Sequence, residues 1–292
     1  MDFFYLRIAS LIIIATVYML FDVFNKRNVP TVFAYATLAY GLALTLLYQT
    51  PSLIYESVGI ALVVIGVGYV VYKIGQIGAA DIIEFAAISL MLPLQPVPFL
   101  AGMPSQFGLP TIISVFVCTG MVALVTVPLY YLPKARRMTK KPLLSFVSRQ
   151  AVLKSALITS AYLLFIIFMF VELRIMLAGV AILLIMLIFS TLMIIFEKPI
   201  TDSMVEYVDY RKFDEGDIVA FNLMTLKQIA AIKKKVRSFD RLLSAKLISE
   251  MRAKRVSIKL PVYKDAVPLA LPILVGVIIS LTLGNLIFFI LP

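Results

Sequence analysis

The sequence predicts an all-α polytopic membrane protein of about eight transmembrane helices, with a small α/β cytoplasmic domain inserted before the last helix. Three observations predict it. Of the 292 residues, 62% are hydrophobic and only 15% charged, whereas soluble domains are roughly 45–50% apolar and about 25% charged. Apolar runs of bilayer-spanning length recur along the chain. The basic residues are segregated: with the N-terminus placed outside, 25 of the 27 lysines and arginines fall on inward loops, leaving only Arg7 and Arg174 outside, the bias that marks cytoplasmic loops.

The runs read 3–21, 31–48, 53–72, 77–94, 110–131, 152–171, 175–196 and 266–291. The first lacks a basic leader and a small-residue cleavage site, so it is expected to stay as a span and not to be removed as a signal peptide. The fourth is the least hydrophobic at its start. The sixth and seventh are joined only by Glu172-Leu173-Arg174, a tight hairpin. Residues 1–196 form the expected helical domain, 197–265 the cytoplasmic one, and 266–292 the final span, which ends outside. Within 197–265, Gly216 closes an acidic turn before a strand-like Ile218-Val219-Ala220-Phe221. A charged helical pattern from Thr225 to Arg255 and a short strand VSIKL ending at Pro261 follow. Lys233-Lys234-Lys235 reads as a solvated face.

The net charge of +11 is accounted for by inward loops meeting anionic lipid and requires no nucleic acid. The chain has no histidine and a single cysteine, Cys118. Ser-His-Asp and Cys-His catalysis, H-E-x-x-H zinc sites and Cys/His metal clusters are therefore excluded, as is an intrachain disulfide. No cofactor is expected. Chemistry falls to carboxylates, lysines, tyrosines and hydroxyls.

Of the 16 acidic residues, three lie in apolar surroundings: Asp22, Asp81 and Glu84. An acid within a span costs about 2.5–3.5 kcal/mol on insertion scales and points to function. Asp22 falls at the inner end of the first span and Asp81 one turn past the inner start of the fourth. Side by side, these helices bring the two carboxyls together at one depth. Two close carboxyls share one proton: the charged member takes a proton from water while the protonated member donates to a peptide carbonyl, and their titrations belong to the pair. Gly75, Gly78, Ala79 and Ala80 leave little bulk ahead of Asp81, which allows close approach of a helix or an extended substrate. Glu84, three residues on, shares nearly the same face, where it tunes the pair, meets a basic substrate residue or snorkels as a structural group.

These residues resemble the type IV prepilin peptidases, most closely the archaeal prepilin and preflagellin (prearchaellin) peptidases of the G-x-G-D aspartic type. The first span ends on Asp22 and is followed by Lys26-Arg27 and Val29-Pro30. Gly78-Ala79-Ala80-Asp81 opens the fourth span, with Ala80 where the motif has its second glycine. The last span has a proline-rich entry, Val267-Pro268-Leu269-Ala270-Leu271-Pro272. The resemblance implies cleavage of class III signal peptides at the cytoplasmic membrane face by Asp22 and Asp81. The supporting residues it implies are Gly78, Ala79, Ala80, Glu84, Lys26, Arg27, Pro30 and Pro268. The implied partners are prepilin or preflagellin precursors with a basic leader and an apolar helix. The cysteine tetrad of many bacterial relatives is missing, so no methyltransferase activity is expected.

Three other readings stay open on the residues. A presenilin-like protease uses the same pair but carries it on later adjacent spans. A carboxylate relay in a proton or cation transporter usually lies near the midplane of two related halves. In a non-enzymatic scaffold, the acids merely pair with Lys26, Arg27 or Lys73.

Overall fold

The computed structural model describes residues 3–25, 29–48, 50–75, 77–92, 110–139, 142–236, 239–254, 259–264 and 268–284. Lys26 and Arg27 lie outside them. Eleven α-helices and three short strands are described: α1 (Phe3–Phe24), α2 (Thr31–Tyr48), α3 (Pro51–Ile74), α4 (Ala79–Met91), α5 (Thr111–Thr139), α6 (Arg149–Glu172), α7 (Leu177–Ile195), α8 (Glu197–Met204), β1 (Val205–Val208), β2 (Ile218–Val219), α9 (Leu226–Lys233), α10 (Ala245–Ala253), β3 (Leu260–Tyr263) and α11 (Ala270–Leu283). Helices α1, α3, α5, α6 and α7 are long and apolar enough to cross a bilayer, and α2 and α11 are shorter apolar helices. The chain is a polytopic helical membrane protein with a small sheet.

Local chemistry sets the helix ends. Pro51 occupies the first turn of α3, where its missing N–H costs nothing. At the other end Gly75 takes φ 73° and its N–H donates to the Tyr72 carbonyl at 2.7 Å, a left-handed cap open to glycine. The Ser148 hydroxyl accepts from the Ala151 N–H to start α6. The hairpin between α6 and α7 turns at Arg174, φ 49°. Helix α5 continues through Pro128 and Pro133 to Thr139, eight residues beyond the apolar run, because its basic end carries the helix out of the apolar layer.

Helix α4 is the hub. It packs against α1, α2, α3 and α5, and every residue from Glu84 to Met91 is buried. A helix apolar on all sides belongs inside a bundle, which is why it shows no lipid-facing stripe. Its neighbours come close at glycines: a Cβ on Gly41 of α2 would lie 3.2 Å from the Ala87 carbonyl, and one on Gly68 of α3 would lie 2.5 Å from Ile82 Cγ2. Small residues at helix contacts allow this approach. Helix α11 packs on α1 and α5, with Gly276 against Thr119.

The sheet has strand order β1-β3-β2 with antiparallel pairs. It covers a separate core in which Val219, Ile232, Leu243, Met251, Leu260 and Val262 are fully buried. Three expectations are corrected here. The strand at 218–221 shortens to Ile218–Val219, since Phe221–Leu223 turn into a 3-10 helix. Of the expected last strand, residues 256–258 lie outside the described residues; β3 covers Leu260–Tyr263 and runs through Pro261 instead of ending there; Pro261 has no N–H, but its carbonyl accepts from Ala220 N–H at 2.9 Å. The charged helical pattern divides into α9 and α10, each begun by its own cap, Thr225 and Ser244, while Val236, Phe239 and Leu243 between them are drawn into the core.

Candidate functional site

Helix α1 runs three residues past its apolar stretch, so Asp22 lies inside its last turn. Asp81 lies in the first turn of α4. Two contacts show that these helices run antiparallel. At one end the Arg7 guanidinium donates to the Leu90 and Leu92 carbonyls at 2.8 and 3.1 Å, capping the end of α4. At the other, Asp22 and Asp81 come close enough for each charge to act on the other. The sequence signalled Arg7 only as an outlier of the charge bias; it is a helix cap.

The Asp81 carboxylate is fixed by its own helix. Its Oδ2 accepts from the Gly78 N–H at 3.1 Å, so the third helical residue reaches back to the backbone at the helix start. Gly78 is extended at φ −71° and ψ 151°, so no positive φ demands glycine there. The reason is space: a Cβ at 78 would lie 2.9 Å from Asp81 Oδ2. A larger residue would crowd the carboxylate. Ala79 is exposed and Ala80 half-buried, which leaves the approach to Asp81 on that side free of bulk.

Glu84, one turn deeper, is fully buried, and neither carboxyl oxygen has a hydrogen-bond partner among the described residues. Asp81 and Asp22 both act on it electrostatically. The structure therefore gathers all three of the carboxylates singled out in apolar surroundings. Among the described residues no group of three or more histidine, cysteine or acidic side chains is placed to hold a metal ion.

Tyr18 is a member the sequence reading missed. It lies on α1 one turn before Asp22, is fully buried and is within electrostatic reach of Glu84 and Asp81. Its hydroxyl lies 3.0 Å from Thr37 Oγ1. The Thr37 proton goes to the Ala34 carbonyl at 2.8 Å, so Tyr18 donates. The four-residue spacing from Asp22 was the available signal. Around Tyr18, Ala34 of α2 and Ala270 of α11 close one apolar cluster, with Val29 and Ile83 packed against it. Pro30 sits immediately before α2 and Pro268 two residues before α11, and the Pro30 carbonyl accepts the Ala34 N–H at 3.0 Å. Both prolines thus start helices that wall the site.

An apolar groove of about 570 Å³ opens between α3, α4 and α5; Ile77 and Ile82, the neighbours of Gly78 and Asp81, line it together with Val67, Phe85, Ile113 and Phe116.

Residues 9–128 match the type IV leader peptidase family. The matched stretch is less than half of the 292 residues. The match takes in both aspartates and Glu84 and stops within α5. The similarity supports a protease of the type IV leader peptidase kind. No curated protein and no solved structure matches the chain.

Proposed function

We propose that this protein is an aspartic endopeptidase of the type IV leader peptidase kind that cleaves class III signal peptides of prepilin- or preflagellin-type precursors at the cytoplasmic face, with Asp22 and Asp81 as its catalytic pair. What supports the reading most is that Asp22, on a helix packed against α4, lies within electrostatic reach of Asp81, within the stretch that matches the family. The charged member removes a proton from water, whose oxygen adds to the scissile carbonyl carbon. The protonated member donates to the carbonyl oxygen. Collapse of the tetrahedral intermediate breaks the C–N bond as the new acid returns a proton to the leaving nitrogen. The Gly78 N–H holds one Asp81 oxygen in place and leaves Oδ1 for this exchange.

The scissile bond must be unwound, because a helix engages its carbonyls in its own hydrogen bonds. The apolar groove begins beside Gly78 and Asp81, and gives the precursor's apolar helix a surface continuous with the pair. The basic leader stays on the side of the soluble unit. There Lys264 pairs with both Asp214 and Asp217, its Nζ 2.8 Å from each, and offsets one of their two charges. Local negative charge for a basic leader then comes from the remainder of this pair together with Asp202, Glu206, Asp209 and Glu215.

The test is cleavage of a detergent-solubilised prepilin-type precursor by purified wild type, Asp22→Asn and Asp81→Asn. Each variant should retain its thermal unfolding temperature and lose cleavage. Near-wild-type cleavage by either variant removes the pair from the mechanism.

A further inference from the structure

The turn that carries Asp81 is not held by membrane helices alone. Gly75, at its start, lies in a connection between two helices and is nevertheless buried. What covers it comes from the soluble unit, more than 140 residues later in the chain: a Cβ at 75 would lie 3.2 Å from Ile218 Cγ2, 3.6 Å from Arg241 Cδ and 3.7 Å from Arg241 Cγ. The Arg241 atoms nearest that position belong to its aliphatic stem, as is usual where a long cationic side chain lies over apolar surface.

These two residues belong to one hydrogen-bonded patch. Ile218 pairs with Tyr263 of β3 and bridges to Leu242. The Val219 N–H donates to the Arg241 carbonyl at 2.8 Å and the Leu243 N–H to the Asp217 carbonyl at 2.8 Å. Val219, Leu243 and Leu260 behind the patch are fully buried. The surface pressing on the turn is therefore a rigid one. From Gly75 the chain is short: Gly78 follows, and its N–H holds Asp81 Oδ2. The same sheet feeds α11 through β3, and α11 packs against α1, the helix of Asp22. One soluble unit thus bears on both halves of the pair.

Resting on the peptidase reading above, we infer that Ile218 and Arg241 are positioning residues, which hold the turn from Gly75 to Gly78 so that Asp81 keeps its place opposite Asp22. They touch neither substrate nor the reacting atoms. An acid pair displaced by about 1 Å loses on the order of a hundredfold in rate, whereas affinity for the precursor, set elsewhere, is untouched.

Full-length Ile218→Ala and Arg241→Ala serve as the test variants, with Ile218→Val and Arg241→Met as controls that keep the contacting Cγ2 and the side-chain stem. Two measurements are made in detergent: cleavage kinetics on a prepilin-type precursor, and backbone hydrogen exchange over residues 75–85. Expected in the alanine variants is a kcat lower by about tenfold or more, KM unchanged, and faster exchange in 75–85, with both controls like wild type. Unchanged exchange in the alanine variants overturns the inference, whether or not any precursor is cut. So does a rise in KM at constant kcat, which assigns the two residues to reading the leader, and so does an Arg241→Met variant as defective as Arg241→Ala. If exchange responds as expected but wild type cleaves no precursor, the contact stands and the peptidase reading is what fails.

Discussion

Gly68→Ala is the most exacting probe of how α3 positions the pair. The new Cβ would lie 2.5 Å from Ile82 Cγ2, 3.0 Å from Cγ1 and 3.3 Å from Cβ. Non-bonded carbons rest about 3.5–4.0 Å apart, so the shortfall is about 1 Å. Ile82 cannot swing aside: it is buried, and a β-branched residue in a helix has essentially one χ1 rotamer. The first turn of α4 must therefore move off α3, and Asp81, the residue before Ile82, moves with it. Overpacking of this kind costs about 1–3 kcal/mol of stability, and a displacement of about 1 Å costs on the order of a hundredfold in rate. The assay pairs precursor cleavage with thermal unfolding in detergent for Gly68→Ala, Ile82→Ala and the double variant. Ile82→Ala removes both γ-carbons, so the double variant should recover most of the rate lost in Gly68→Ala, a coupling that a double-mutant cycle reads directly. Wild-type cleavage by Gly68→Ala, or strictly additive effects in the double variant, refutes the reasoning.

Gly276→Ala should be worse for stability than Gly68→Ala, because the new Cβ meets backbone, 2.8 Å from the Thr119 N and 3.1 Å from its Cα, which no rotamer relieves; unfolding temperatures of the two variants decide it. Glu84→Met should stabilise the protein by about 1–3 kcal/mol, the usual cost of a buried polar group left unpartnered, measured as a raised Tm. Lys264→Met should destabilise by about 1–3 kcal/mol, since Asp217, whose side chain is only 10% exposed, loses its charged partner. Burial alone would depress the Lys264 ammonium, but its hydrogen bonds to Asp214 and Asp217 and their charges outweigh it and hold it above the ordinary lysine value. The stabilisation is therefore complete below about pH 10.4, the unfolded value, and is lost as pH rises through the folded one. The gap between wild type and Lys264→Met should close only in strongly alkaline thermal scans.

The helical architecture was legible because membrane spans are long and compositionally extreme. The ends were less so: hydropathy stops at Phe21, yet α1 continues to Phe24, since one carboxylate ends an apolar run without ending a helix. Asp22, Asp81 and Glu84 stood out because acids are rare in apolar runs, and the antiparallel packing of α1 and α4 brings them together. Tyr18 was easily passed over for the opposite reason, being one of 14 tyrosines and marked only by its four-residue spacing from Asp22. Gly68 and Gly75 were silent too, as their meaning lies in what a side chain would strike, Ile82 in one case and Ile218 in the other. The stretch from Val205 to Tyr263 was read least accurately. Its strands are two to four residues long, too short for an alternating pattern, and one of them runs through a proline.

Helix α11 fits between α1 and α5, and its Ala270 closes the cluster around Tyr18 beside the pair. Synthesis delivers the first and fourth helices long before this wedge exists. The order of synthesis thus leaves Tyr18 without this part of its wall until the last described helix has been made.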